Sequence, residues 1–392
     1  MAKKKIAEDT VLKDGVSQKD ADKILAEIMQ LDHTMMATEV DTSKQRIFSS
    51  SPSLNYIYGG LLKGRIHRLH GPESGGKSSL AIFEAAEAQK AEPNPAKKYV
   101  FYFDFEQTFD PDFAARIGLD VSKTIVCTDP CVEDQALKFF KSAPILCAAI
   151  FDSDAAASSR TEFQEEIGKP SFGGLAKIMG AFCRRANNVC AEYKIPLIMI
   201  SQERANTQPM GYLPSVTGGY AMRYFASTRC RCQNSEYIVD PVTKDNIGIK
   251  IKIKCYKNKT GIVGRSKILN FYFDGGFDVD AEYADMIFQK DMGIFEQKGA
   301  FYYNPEFDVK FQGKKAAMDW LNENPDKYEA IKKEVNQRLM QASFISEDDT
   351  DRSTMSDEDD VAETTENSTV LESSSDPSTL AQLALEASEG GE

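Results

Sequence analysis

The sequence predicts an α/β fold: a P-loop core on a mostly parallel central sheet, with an N-terminal helix before it and a small α+β C-terminal domain after it. Two observations carry this. Three nearly continuous apolar runs, at 98–104, 143–152 and 195–202, alternate with helical stretches, as strands buried on both faces of a parallel sheet do. Between the short strand expected at 65–70 and a helix opening at Ser79, the residues Gly71-Pro72-Glu73-Ser74-Gly75-Gly76-Lys77-Ser78 fit G-x-x-x-x-G-K-[ST]. A chance glycine-rich turn would not explain the strand before and the helix after.

In chain order, residues 1–45 are mostly polar, with one amphipathic helix from Lys19 to Leu31. There Ala21, Ile24, Leu25, Ile28 and Met29 recur at helical spacing. Such a helix needs a surface to bury its face, either its own core or a neighbouring subunit. Residues 46–280 read as the α/β core. Near its end Ile247, Ile249, Ile251 and Ile253 alternate with Gly248, Lys250, Lys252 and Lys254, a half-buried strand whose lysine face reads as solvated. Residues 281–346 read as a smaller unit, in which a helix starting at Asn324-Pro325 carries the stripe Tyr328, Ile331, Val335 and Leu339, with Lys327, Lys332, Lys333 and Arg338 beside or opposite it. Residues 347–392 are rich in Ser, Thr, Asp and Glu and read as a disordered acidic tail.

The net charge of −13 belongs to that tail, which holds fifteen Asp or Glu and one Arg, so the rest of the chain is close to neutral and free to carry basic patches. No run of 18 apolar residues suggests a membrane span, and the basic start lacks an apolar stretch after it, so a cytoplasmic protein is expected. The eight cysteines include no C-x-x-C pair and the histidines are His33, His67 and His70, poor material for zinc. Most of the cysteines sit in apolar stretches and read as reduced core thiols.

The chemistry gathers at the carboxyl ends of the expected strands. Glycine lets the loop turn and aim its N–H groups at phosphate oxygens, and the following helix adds its positive end. Lys77 would reach the β- and γ-phosphates, with the Ser78 hydroxyl on Mg²⁺. Asp152 closes an apolar strand, where a carboxylate can hold Mg²⁺ or its water. Glu106 follows another strand and could activate the attacking water, or be a solvated turn carboxylate. Gln202 precedes a long polar stretch, 203–216, and could sense the γ-phosphate.

These motifs together resemble the bacterial RecA recombinases, nearly end to end. The resemblance rests on GPESGGKSS, with Ser79 closing it; on Asp104-Phe105-Glu106 through Asp110-Pro111 to Gly118; and on Thr217-Gly218-Gly219 through Arg229. It extends to Lys257-Asn258-Lys259, to Gly299-Ala300-Phe301-Tyr302 and to Ala317–Leu321. The resemblance implies a RecA-type ATPase core that binds ATP and Mg²⁺ and forms helical filaments on single-stranded DNA. It implies exchange of strands with double-stranded DNA during recombination and repair. Glu106 would be the general base and Gln202 the link to a second DNA loop, while Asp110 and Phe113 would contact adenine. Lys257 and Lys259 would reach the ATP of the neighbouring subunit. DNA loops would lie at 166–174 and 203–217, with Arg184, Arg204 and Arg223 and the backbones of Gly218 and Gly219 on phosphates, and Phe172 and Thr207 between bases. Residues 1–45 would set the polymer and 281–346 would bind duplex DNA. Single-strand-binding and loading proteins, or a self-cleaving repressor, are the further partners implied.

The chain departs from the family pattern at Gly75 and Ser78, where serine and threonine are usual, in a slightly longer first loop, in Arg229-Cys230-Arg231-Cys232-Gln233, and in its long tail. That divergence suits a phage-encoded or otherwise remote member. Two competing readings remain: a ring-forming relative of the same core, such as a DnaB-type helicase or the RadA branch, and an ATP-controlled DNA scaffold without turnover. The first lacks support in the absence of a four-cysteine finger and the presence of the Lys257–Lys259 pair; the presence of both Lys77 and Glu106 argues against the second.

Overall fold

The computed structural model describes residues 18–30, 34, 36–39, 45–164, 174–204, 215–216 and 219–342. Phe172, Thr207, Gly218, most of both expected DNA loops and the 347–392 tail lie outside the described residues. The chain divides into two units, residues 1–44 and 45–392. In the first, α1 (Gln18–Ile28) forms where the helical periodicity predicts it.

The second unit opens with β1 (Arg46–Ile47), α2 (Pro52–Tyr58) and β2 (Leu61–Leu62), and β1 pairs with β2. Ser51 caps α2 by accepting from the Leu54 amide, and Pro52 sits at the first helical position, where its missing N–H costs nothing. Next come β3 (Ile66–Gly71), α3 (Lys77–Ala91), β4 (Tyr99–Asp104), α4 (Pro111–Ile117), β5 (Thr124–Cys127), α5 (Val132–Ser142), β6 (Leu146–Asp152), α6 (Arg160–Gln164), α7 (Gly174–Tyr193), β7 (Leu197–Arg204), β8 (Ser215–Val216) and α8 (Gly219–Phe225). A meander of β9 (Thr228–Val239), β10 (Asn246–Asn258), β11 (Ser266–Tyr272) and β12 (Gly276–Phe277) follows.

The central sheet runs β12-β11-β10-β9-β3-β7-β6-β4-β5, parallel from β9 to β5 and antiparallel from β9 to β12. All seven residues of β6 are buried, which is why it reads as an unbroken apolar run rather than an alternating one; β3 is equally buried but encloses His67, Arg68 and His70. Strand alternation sorts their side chains into two cores. Val100, Tyr102, Ala148, Ile150, Ile198 and Ile200 pack on the α3 side, and Phe101, Phe103, Ala149, Phe151, Leu197 and Met199 pack with residues of α5 and α7. The strand expected from Ala143 starts at Leu146, because Ala143–Ile145, with Pro144, forms a 3₁₀ turn.

In β10, Ile249, Ile251 and Ile253 are buried as the alternation predicts, but Gly248 is buried ahead of them. The neighbouring strand β11 closes over it: a Cβ on Gly248 would lie 2.4 Å from the Phe271 carbonyl oxygen. The lysine face lies at the surface: Lys252 is exposed, Lys250 pairs with Glu236 at 2.7 Å in an exposed ion pair, and the Lys254 ammonium lies 4.9 Å from the Tyr256 ring centroid.

A third core belongs to the C-terminal part: α9 (Val279–Met286), the meander β13 (Glu296–Lys298), β14 (Phe301–Asn304) and β15 (Val309–Gln312), then α10 (Gly313–Glu323) and α11 (Pro325–Ala342). Ile331, Val335 and Leu339 of the predicted stripe are buried in it. All eight cysteines are buried as free thiols. Among the described residues no helix is long and apolar enough to cross a membrane.

Candidate active site

Parallel register brings the ends of four strands together. Gly71 is opposite Gln202 across β3 and β7, and Asp104 is opposite Asp152 across β4 and β6. Above them lies a cavity of about 410 Å³ lined by Glu73, Ser74, Gly75, Gly76, Lys77, Ser78, Ser79, Glu106, Asp152, Ile200 and Gln202. The residues 71–78 form the turn between β3 and α3, as the motif predicts; Gly71 and Pro72 enter it without lining the cavity.

The loop leaves no room for side chains where it crosses β9. A Cβ on Gly71, whose φ is +149°, would lie 1.9 Å from the Cys232 carbonyl oxygen, and one on Gly75 would lie 2.8 Å from the same atom. Lys77 opens α3, and its ammonium donates to the Gly71 and Pro72 carbonyls at 3.0 and 2.6 Å. Burial lowers its pKa, against the pull of Cys232, Asp152, Glu106 and Glu203. An anionic ligand in the cavity would therefore supply counter-charge to a cation that is partly stripped of water.

Asp152 ends β6 with its carboxylate accepting from the Tyr102 hydroxyl at 2.7 Å and from Ser78. Burial pushes its pKa up to about 6; those hydrogen bonds oppose the rise, and Glu106 and Asp104 add to it. A cation would relieve this strain. Ser78 and Asp152 offer the hard oxygen donors that Mg²⁺ takes, in the small number it uses when phosphates and water complete its shell. Glu106 sits in the turn after β4, which Asp104 closes by accepting from the Thr108 and Phe109 amides at 3.1 and 3.2 Å. Glu106 Oε1 accepts from Gln202 Nε2 at 3.0 Å and from the Ser153 hydroxyl at 2.5 Å. The carboxylate is thus oriented into the cavity, which a solvated turn residue would not be.

Sequence reasoning missed Tyr102, Ser153 and Ile200. Tyr102 was legible in principle, since it lies two residues before Asp104 and so on the same face of β4.

The remaining expected residues lie outside this cavity. Asp110 caps α4, accepting from the Asp112 and Phe113 amides at 2.9 and 3.0 Å. The Phe113 ring is half-buried, edge-on to Phe271 at 6.0 Å. Lys257 Nζ donates to the Arg223 and Tyr224 carbonyls at 2.9 and 3.2 Å, and Lys259 Nζ to the Tyr224 carbonyl at 3.4 Å, where the end of α8 is negative. Burial, helped by Lys259, Arg229 and Arg223, lowers the Lys257 pKa to about 8. Arg184 is exposed on α7, Arg223 half-buried on α8, Arg204 ends β7 and Gly219 opens α8. In the C-terminal part Lys332 pairs with Asp280 at 2.9 Å and Glu329 at 3.2 Å, Lys327 lies over Trp320, and Arg338 binds Glu334 and the Met292 carbonyl.

A family model, the RecA N-terminal domain, matches residues 11–278. The chain is 30% identical over 283 residues to Protein RecA of Mesoplasma florum, covering 71% of this chain and 82% of that protein. It is 30% identical over 336 residues to Protein RecA of Mycoplasma mycoides subsp. mycoides, covering 84% and 92%. Against Protein RecA of Thermus aquaticus the identity is 30% over 284 residues, covering 71% and 81%.

Proposed function

The chain belongs to the RecA family, and on that premise we propose that it is a DNA-dependent ATPase that acts as a homologous recombinase, assembling on single-stranded DNA and exchanging strands with duplex DNA. The observation that carries this reading is the convergence of Lys77, Ser78, Glu106, Asp152 and Gln202 on one cavity.

In this reading the loop amides and Lys77 hold the triphosphate of ATP, and Ser78 and Asp152 hold Mg²⁺, which when bound neutralises phosphate charge. Glu106 takes a proton from water as the water oxygen attacks the γ-phosphorus. The bond to the bridging oxygen breaks and ADP leaves with that electron pair. Gln202, bonded to Glu106 in the free chain, turns to the γ-phosphate and passes its presence to the loop after β7. Lys257 and Lys259 stabilise the charge on the neighbouring subunit's ATP, which accounts for their position away from the cavity of their own chain. Hydrolysis then depends on head-to-tail assembly into an open filament.

Residues 1–45 would set that contact, 46–280 hydrolyse ATP and grip single-stranded DNA through Arg184, Arg204 and Arg223, 281–346 bind duplex DNA, and the tail from 347 compete for it. Asp110 and Phe113 would meet adenine. The site of action is the cytoplasm, and the filament would also serve as the platform for repressor self-cleavage.

The test is D-loop formation between homologous single-stranded DNA and supercoiled duplex with ATP and Mg²⁺, beside Lys77→Ala. Product from wild type alone is expected. DNA-stimulated hydrolysis without product from either chain would leave a motor or scaffold, and would overturn strand exchange.

A further inference from the structure

The run Arg229–Gln233 stands out in the sequence and has no part in the chemistry above. It lies in β9, which slots between β3 and β10. Alternation turns Cys230 and Cys232 into the core and leaves Arg231 on the other face, opposite His70 across the parallel β3–β9 ladder. There the Arg231 guanidinium grips Glu203 with two bonds, Nε to Oε1 and Nη2 to Oε2, both at 2.8 Å, while Nη1 donates to Gln233 at 2.9 Å. His70 Nδ1 meets Glu203 Oε1 at 3.0 Å. The Glu203 side chain is 7% exposed and that of His70 10%.

The placement gives this cluster a meaning beyond stability. Glu203 follows Gln202, whose side chain lies on the opposite face of β7, bonded to Glu106. Glu203 also pairs with Val216 in β8, at the point where the chain between β7 and β8 leaves and rejoins the sheet. His70 directly precedes Gly71, the first residue of the phosphate loop. One residue therefore bonds through its carboxylate to the strand that feeds the phosphate loop and to β9, follows Gln202 directly, and pairs through its backbone with β8. A two-bond guanidinium–carboxylate fork fixes direction as well as distance, so it ties Glu203, and through the Glu203–Val216 pairing the stem, to β9, and a shift of Gln202 along β7 would pull on all of them together.

We infer that the His70–Glu203–Arg231 cluster is a positioning element that couples the nucleotide site to the β7–β8 stem. This rests on the reading of the cavity as an ATP site. Burial works against charge on Glu203, yet the bonds from His70 and Arg231 hold its pKa down to about 2, so the fork persists across the physiological range.

The test compares the full chain with Arg231→Gln, Glu203→Gln and Arg231→Lys, each with and without a non-hydrolysable ATP analogue. Hydrogen exchange in β7 and β8 reports coupling without needing DNA or turnover. In wild type the analogue is expected to change that exchange. In R231Q and E203Q the change should vanish while R231Q still binds the analogue, and R231K should recover only part of it because an ammonium cannot form the fork. DNA stimulation of hydrolysis should fall about tenfold in R231Q, the scale of an ordinary coupling between sites.

A merely structural ion pair would lower thermal stability and leave the nucleotide-dependent change intact; that result overturns the inference, as does a wild type whose stem ignores the analogue. Wild type that responds in exchange but lacks DNA-stimulated hydrolysis would instead defeat the proposed function and leave the coupling standing. If single variants fail to fold, Arg231→Met with Glu203→Met removes both charges and leaves none buried alone, and the same exchange response decides.

Discussion

Glu84 sets up a stability profile that runs opposite to ordinary acid denaturation. It lies on α3, the helix that starts at the phosphate loop, and is 3% exposed. The Tyr58 hydroxyl of α2 donates to Oε1, while Oε2 is buried without a partner. Glu87 on the same helix and Glu282 on α9 add negative charge. Burial therefore pushes its pKa from 4.5 to about 8. The folded chain keeps the proton where the unfolded chain has released it, so the stability is fully present below about 4.5 and is lost as pH rises through about 8. Between pH 5 and pH 9 that difference in titration is worth about 4 kcal/mol at most, taking about 1.4 kcal/mol per pH unit. Glu84→Gln keeps the shape and an acceptor for Tyr58 and has no proton to lose. Urea unfolding of both chains at pH 5, 7 and 9 should show E84Q close to wild type at pH 5 and more stable by a margin that grows to a few kcal/mol at pH 9. Glu282, raised to about 7 by burial, leaves a shallower slope of the same sign in the variant. A difference between the two chains that does not change with pH would refute the argument.

Gly75→Ser, which restores the residue usual in the family, should destabilise by about 1–3 kcal/mol, because the new Cβ meets a carbonyl that cannot rotate away; equal unfolding midpoints would show that β9 yields. Lys257, lowered to about 8, is charged below that pH and loses its charge as pH rises through it. DNA-stimulated turnover should fall on that limb, and Lys257→Arg should flatten it; the same fall in both chains would remove Lys257 as its cause. Cutting after Ser346 removes a net −14 from a chain otherwise near neutral. Duplex binding, measured by fluorescence anisotropy, should tighten most at low salt, where screening is weakest; unchanged binding there would exclude the tail as a competitor.

The sheet was legible because burial on both faces leaves long apolar runs, and the phosphate loop because its glycine spacing is set by backbone geometry. Asp110 shows how one residue type supports two readings: Asp-Pro before an apolar stretch is also a helix start, and the structure uses its carboxylate as a cap. Glu84 and Glu87 were not legible. Beyond its opening Lys77-Ser78-Ser79 their helix is largely apolar on every side, and which of its carboxylates become buried depends on where α2 and α9 pack. The strand β9 hid for a different reason. Its alternation of arginine and cysteine has period two, but arginines in place of apolar residues conceal a central strand, and only the fold supplies Glu203 to neutralise one of them.

Two departures from the family pattern look unrelated in the sequence, since Gly75 and Cys232 are separated by more than 150 positions. In the structure they meet. The Cys232 carbonyl stands 2.8 Å from where a Gly75 side chain would begin, on the strand that Arg231 pins to Glu203. A serine at 75 would push β9 away from the phosphate loop, and the fork at 203 and 231 opposes that movement. The glycine and the arginine-bearing strand are thus parts of one packing arrangement, and it follows that Gly75→Ser should cost less stability in an Arg231→Gln background than alone. Strict additivity of the two changes would separate them again.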